Sequence, residues 1–338
     1  MLITRFSMKK RIIAFITGLT LGTSLFSAAF ADDAVHSTDV SSSPRTETRS
    51  ITQIDAVTGE ITEKEVTIEL SGASSGSAPG YYPNGNEFAP TPFGMVGPTN
   101  DMIPVTNSKI GPAQYVASLQ VSATAGTFVG TGTLVAPGVI LTCAHNIYNS
   151  QFGGDNYAKS MLITPGRQGA HDTAGSYQVN LNASTYIISS NFLKGESWDD
   201  WALIFLDGAN TGYSGIAWDG NYANYVNTAA FSYGYPAQQW PAVDDGTNGA
   251  GTSTPWVMYQ SIGYIRKSDA HTLKGDWDMV GGFSGGPLMQ YRENAGYCVI
   301  GINRDGNGKD NHWQSYPTSF SGARPMDEFL FNLIMQYR

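Results

Sequence analysis

Short apolar runs rich in β-branched residues, broken by Gly, Asn and Asp, fill the chain from Val96 onward. Residues 115–121, 127–135 and 139–142 are three such runs, and each reads as a strand. They recur at about 8–12-residue spacing in places, with longer loops between, which predicts an all-β barrel or sandwich. The Gly/Asn/Asp-rich stretches 149–159 and 238–254 read as surface loops. One helix stands out near the C-terminus. Met326, Phe329, Leu330, Leu333, Ile334 and Tyr337 follow the i, i+3, i+4, i+7 pattern, with Pro325 suited to the first helical position and Asp327 and Glu328 to the positive helix start.

The first 95 residues read differently. Lys9, Lys10 and Arg11 precede an apolar stretch over 12–26, and Ala29-Phe30-Ala31 has the form of a cleavage site before Asp32. Residues 1–31 are therefore expected to be a secretory signal peptide, with Met8 as an alternative start, and the protein to be exported. The apolar core falls short of the ~20 residues a membrane span needs, so no membrane association is expected once the signal is removed. Residues 32–95 are polar, with Ser/Gly/Ala/Pro-rich flanks, and read as a pro-segment. Within it, residues 51–70 alternate Ile/Val with polar residues; a hairpin around Thr58-Gly59 and a disordered linker are both open.

Composition narrows the function classes. Two cysteines argue against a disulfide-stapled scaffold; Cys143, inside an apolar run, reads as a small buried residue, with a Cys143–Cys298 bridge as the less favoured alternative. A net charge of −9 disfavours nucleic acid and anionic membranes as partners. The five histidines are scattered without zinc-protease spacing, so no metal and no cofactor are expected.

Candidate chemistry centres on Gly281-Gly282-Phe283-Ser284-Gly285-Gly286-Pro287. A serine among glycines fits a backbone that exposes a hydroxyl beside free N–H groups. Such a hydroxyl needs a base and a group to orient it. His145 ends the run that starts at Gly138, and Asp200 directly precedes the apolar run 201–206. The order His145, Asp200, Ser284 is that of the chymotrypsin class, and neither that of α/β-hydrolases nor that of subtilisins.

At these residues the chain resembles the secreted bacterial trypsin-fold serine endopeptidases of the staphylococcal V8 protease and glutamyl endopeptidase group. The likeness covers roughly residues 96–338 and rests on Thr142-Cys143-Ala144-His145, Asp200-Trp201-Ala202-Leu203-Ile204, Tyr233-Gly234-Tyr235-Pro236, Gly282-Phe283-Ser284-Gly285-Gly286-Pro287 and the groove-strand candidate Val299-Ile300-Gly301-Ile302. It implies a chymotrypsin-like double β-barrel with a C-terminal helix, acting as a monomer on protein or peptide substrates. It implies a triad of His145, Asp200 and Ser284, with the N–H groups of Gly282 and Ser284 as oxyanion hole. Ala202 sits two residues after the aspartate, as in the group, and so selects Asp200 over Asp199. Removal of the pro-segment near Val96 by an activating protease is also implied. An inactive protease-fold binding protein and a serine esterase are the alternatives.

The specificity positions depart from the group. Met279 and Asn303 stand where glutamate-cutting members carry a threonine and a histidine, and neither easily stabilises a buried glutamate. Asp278 occupies the place of the basic-side-chain reader in trypsin-like enzymes. Arg/Lys, Glu and apolar preferences are all open at this stage. Phe283 replaces the aspartate that pairs with the new N-terminus in animal relatives, and it has no charge with which to do so.

Overall fold

The computed structural model describes residues 45–56, 58–81, 102–206, 211–237, 256–305 and 320–338. Two sheets carry the fold. The first has nine strands in the order β2 (Ile61–Glu69), β1 (Thr46–Ile54), β10 (Tyr186–Ser189), β11 (Ala202–Phe205), β7 (Val139–Thr142), β6 (Gly126–Ala136), β5 (Val116–Ala123), β8 (Ser160–Pro165) and β9 (Tyr177–Asn180). The second closes on itself as a six-strand barrel, β16 (Pro287–Arg292), β13 (Ala229–Gly234), β14 (Tyr259–Ser268), β15 (Leu273–Gly275), β18 (Ser321–Pro325), β17 (Gly296–Asp305) and back to β16. β12 (Gly215–Asp219) lies parallel to β17, β3 (Ser75–Ala78) pairs with β12, and β4 (Ile103–Pro104) pairs with β14. This is the all-β architecture that the strand spacing predicts, in the chymotrypsin-like form that the resemblance implies.

All three expected strands form: that over 139–142 has the expected bounds, and the other two have ends shifted by one or two residues. Tyr115 instead closes a 3-10 turn, Gly111–Tyr115, ahead of β5. Buried side chains from both sheets meet in a shared apolar cluster that includes Val116, Val139, Leu141, Trp201, Tyr235, Met289 and Val299. The C-terminal helix, α2 (Glu328–Met335), lays Phe329, Leu330, Leu333 and Ile334 into that cluster. (The label α1 belongs to the single turn Ser190–Leu193.)

The helix starts later than Pro325. That residue closes β18, paired with Gly301, and Asp327 is the N-cap, accepting from Leu330 N–H at 2.8 Å. A side-chain carboxylate that satisfies an orphan N–H fixes the start more strongly than a proline does. Both cysteines are free and buried, so the alternative bridge does not form.

Of the two readings of residues 51–70, the hairpin is the one found. β1 and β2 pair antiparallel from Thr46↔Glu69 to Ile54↔Ile61, with Thr58-Gly59 in the turn. β1 also pairs with β10, and Ile51, Ile54, Ile68 and Leu70 are buried. The signal-peptide region 1–31, the expected boundary at Val96 and the loop 238–254 lie outside the described residues. Among the described residues no helix is long and apolar enough to cross a membrane.

Candidate active site

β7 ends at Thr142, and the chain turns at once into a 3-10 turn, Ala144–Asn146. This places His145 at the rim of the first sheet, with a quarter of its side chain exposed. Asp200 arrives from the neighbouring strand, because Ala202 of β11 pairs with Thr142 of β7. Asp200 Oδ1 accepts from the His145 backbone N–H at 3.0 Å, and Oδ2 lies 2.6 Å from Nδ1. A carboxylate only accepts, so Nδ1 carries the proton and Nε2 keeps its lone pair.

Asp199, the competing aspartate, is turned the other way. Its carboxylate meets Arg324 Nη2 at 3.0 Å, Ser189 Oγ at 2.6 Å, Asn191 Nδ2 at 3.1 Å and Trp201 Nε1 at 2.9 Å. The Arg324 ion pair is almost wholly buried.

Ser284 sits in the turn before β16, half-buried, with Oγ 3.4 Å from the Arg304 carbonyl. The first sheet grips this turn. Thr131 Oγ1 donates to the Gly282 carbonyl at 2.6 Å, and the Ser284 carbonyl accepts from Thr131 N–H and Asn146 Nδ2, both at 2.9 Å. Asn146 Nδ2 also donates to Thr142 Oγ1. The chain neighbour of His145 thus holds the serine turn, tying His145 and Ser284 to one frame.

The carbonyls of Gly281 and Phe283 are taken by Ala237 and Gly286 N–H, each at 2.8 Å. In a trans peptide the N–H points opposite the C=O. The N–H groups of Gly282 and Ser284 are therefore turned away from those partners, and neither donates to an acceptor among the described residues. Two such donors, one of them the serine's own N–H, are the kind of group that can stabilise a developing oxyanion.

Close approach explains two glycines. A Cβ on Gly285, at φ +87°, would lie 2.1 Å from both the Thr131 carbonyl and Thr142 Oγ1. A Cβ on Gly234 would lie 2.4 Å from the Phe283 ring, which is fully buried there. Gly285→Ala is expected to destabilise the fold by about 3 kcal/mol or more, from overpacking plus left-handed strain. Urea unfolding measures this, and a loss below about 1 kcal/mol would show that the turn is not wedged in this way.

The candidate specificity residues lie around and behind the serine turn. Met279 packs with Met102, Tyr259, Val280 and Phe283. Asp278 is half-buried, its N–H on Ser261 Oγ at 2.7 Å. Asn303 is fully buried. Its Nδ2 donates to Ser232 Oγ at 2.8 Å, and its carbonyl accepts from Gly285 N–H at 2.8 Å. The backbone of Asn303 thus supports the turn from beneath. Thr131 and Asn146 carry no family signal that pattern reading detects, since each acts by a hydrogen bond to a turn remote in sequence.

Burial pushes the His145 pKa down, but Asp200 outweighs it, and the imidazole ends above 6.5. The histidine–aspartate pair therefore adds stability that is full below pH 6.5 and is lost as pH rises through the raised value. Asp199 and Asp327 behave in the opposite sense. Burial raises them, yet Arg324 and Arg49 and the hydrogen bonds they receive hold both below 3.8. Their contribution is present above 3.8 and is lost as pH falls through the depressed values.

Cys143, His145 and Asp200 bring potential metal ligands within 4.8 Å of one another. They do not fit a metal. Burial and the Asp200 charge push the Cys143 thiol well up, and it donates to the Asn303 carbonyl at 3.1 Å, so it stays protonated. The Nδ1 of His145 is already engaged by Asp200.

With this geometry the chain has clear relatives. It is 26% identical over 212 residues to an extracellular metalloprotease of Bacillus subtilis (strain 168), covering 58% of either chain. It is 23% identical over 245 residues to a glutamyl endopeptidase of Staphylococcus aureus (strain MRSA252), covering 71% of this chain and 57% of that one. The chain therefore spans less than two thirds of the length of these relatives. Its fold is similar to that of a Glu endopeptidase solved in complex with MPD, at TM-score 0.51 and 20% identity, over 72% of this chain and 98% of that one. An HL collagenase matches with TM-score 0.51 at 16% identity, over 70% and 97%. The profile of the trypsin-like peptidase domain matches residues 130–302, just over half of the 338 residues, from before the histidine to beyond the serine turn. The family profile and the double-sheet fold agree: this chain belongs to the trypsin-like peptidase domain family.

Proposed function

We propose that this chain is a secreted serine endopeptidase that hydrolyses peptide bonds in protein or peptide substrates through His145, Asp200 and Ser284. The observation that carries the reading is the doubly bonded His145–Asp200 pair, tied through Asn146 to a serine turn with two free N–H donors.

In this reading the Ser284 hydroxyl leaves the Arg304 carbonyl and bonds to His145 when substrate is bound. Nε2 takes the hydroxyl proton as Oγ attacks the scissile carbonyl. Asp200 holds the tautomer and offsets the imidazolium charge. The N–H groups of Gly282 and Ser284 bind the oxyanion, each contributing roughly 3 kcal/mol of transition-state stabilisation. His145 returns the proton to the leaving amine, and water then releases the acyl group by the same route. Export by the signal peptide 1–31 and cleavage before Val96 by another protease belong to this proposal.

Cleavage of a peptide amide substrate tests it, with a simple ester as comparison. Rapid amide hydrolysis supports the endopeptidase; ester hydrolysis without amide hydrolysis points to an esterase, and neither to an inactive binding protein. The profile of kcat/KM against pH adds a check. The base works only when neutral and its pKa is raised, so activity should fall on acidification with a limb above 6.5. A limb clearly below 6.5 would contradict His145 paired with Asp200 as the base.

A further inference from the structure

We propose that the β1–β2 hairpin is a working part of the catalytic apparatus: it stays docked after the chain is cut near Val96, and Arg49 positions Asp200 through Asp327, Arg324 and Asp199. The inference rests on the serine-peptidase reading of the site and adds to it a role for residues that precede the expected cut.

A continuous charged path runs from the hairpin to the catalytic loop. Arg49 Nη1 donates to Asp327 Oδ2 at 2.8 Å, and the same oxygen accepts from Arg324 Nη2, also at 2.8 Å. Arg324 Nη2 reaches Asp199 Oδ1 at 3.0 Å. Asp199 is joined by one peptide bond to Asp200. The inner members are dry, with side-chain exposures of 3% for Arg324 and 2% for Asp199. Beyond Glu47, which bonds Arg49 at 2.6 Å on its part-exposed side, two guanidinium groups alternate with the two carboxylates of Asp327 and Asp199. Without Arg49, both carboxylates compete for Arg324 alone, and a buried charge is left uncompensated. Arg49 also acts on Asp199 over distance, being among the charges that hold its carboxyl down.

The backbone supports the same connection. β1 pairs with β10 from Ile51↔Ser189 to Ile54↔Tyr186, and Thr52 Oγ1 meets Ser190 Oγ at 2.9 Å. β10 runs directly into α1 and the turn that carries Asp199 and Asp200, and Ser189 N–H donates back to the Trp201 carbonyl at 3.2 Å. The hairpin therefore forms the outer rail of the strand that leads to the catalytic aspartate.

Its attachment does not depend on the connection through Val96. Ile51, Ile54, Ile68 and Leu70 are buried in the shared cores, and the Arg49 guanidinium stacks on Phe329 at 4.6 Å. On the far side, Ser71 N–H and Oγ both donate to Glu328 Oε1, at 3.0 and 3.1 Å. Arg338 Nη1 donates to the Pro79 carbonyl at 2.8 Å. A segment held by ladder, core and ion pairs does not leave when one distant peptide bond is hydrolysed.

The test uses the full chain. In one arm, a recognition sequence for an unrelated site-specific protease is inserted between residues 82 and 95 and cut. The fragment holding residues 45–81 should co-elute with the protease domain on native gel filtration, and the cut complex should turn over a peptide amide at least as fast as the uncut chain. A fragment that separates while turnover is kept would overturn the proposal. In the other arm, Arg49→Ala should lower kcat roughly 10- to 100-fold, as expected of a slightly misplaced catalytic group, with KM within about twofold. Arg49→Lys should recover most of the loss. A purely structural hairpin would lower Tm in Arg49→Ala but leave kcat per folded molecule at the wild-type value, and that result overturns the positioning role. If Arg49→Ala fails to fold, Arg49→Lys and the cut chain decide, the former by its kcat and the latter by co-elution. A wild-type chain cut near Val96 that does not react with an organophosphonate at all would instead sink the serine-peptidase reading.

Discussion

Ser284→Ala should fold as the parent does and lose about 10⁶-fold in kcat, the scale typical of removing a triad serine. The two halves of this expectation have separate causes. Folding survives because the Ser284 hydroxyl makes a single long contact, 3.4 Å to the Arg304 carbonyl, while the turn is held by the carbonyls of Gly282 and Ser284, which alanine leaves in place. Turnover fails because the hydroxyl is the group that forms the acyl bond. The remaining oxyanion donors and binding contacts give residual activity roughly 10³–10⁴-fold over water. Initial rates on a peptide amide, together with thermal unfolding of both proteins, measure the two halves. Activity within tenfold of wild type would remove Ser284 from the chemistry.

Asp200→Asn is expected to cost about 10⁴-fold in kcat with little change in KM. The asparagine oxygen still accepts from the His145 backbone N–H, so the loop keeps its position. The amide NH₂, however, now faces Nδ1, where the carboxylate accepted at 2.6 Å. Nδ1 must become the acceptor, which moves the ring proton to Nε2 and removes the lone pair that takes the serine proton. The imidazole also loses the charge that raises its pKa, so the acidic limb should move down. A kcat within tenfold of wild type would assign the orienting role to some other group.

Legibility in the sequence followed the range of the interactions. The run over 139–142 is β-branched and fully buried, so local pattern was enough to read both the strand and the histidine at its end. The serine turn is legible for a similar reason: its glycines answer steric demands at single positions, such as that of Gly285 against Thr131. The helix start is not legible locally: Pro325 is compatible with both a helix entry and a strand end, and the Asp327 cap decides between them. What could not be read is non-local. Asn146 looks like any residue after a histidine until its amide is found on the Ser284 carbonyl. Alternation over 51–70 leaves a hairpin and a linker both open and gives no partner, because β10 is remote in sequence and nothing in either strand names the other. Arg49 and Arg324 read as ordinary charges; only folding brings them into line with Asp199.

The central claim is that Ser284 is a nucleophile activated by His145. Its most direct measurement is the mass of the protein, and of its tryptic peptides, after exposure to an organophosphonate. The account predicts one adduct per molecule, located on Ser284 and absent from Ser284→Ala, forming fastest where His145 is neutral. An active protein that stays unmodified, or one modified at another residue with Ser284 untouched, would contradict it.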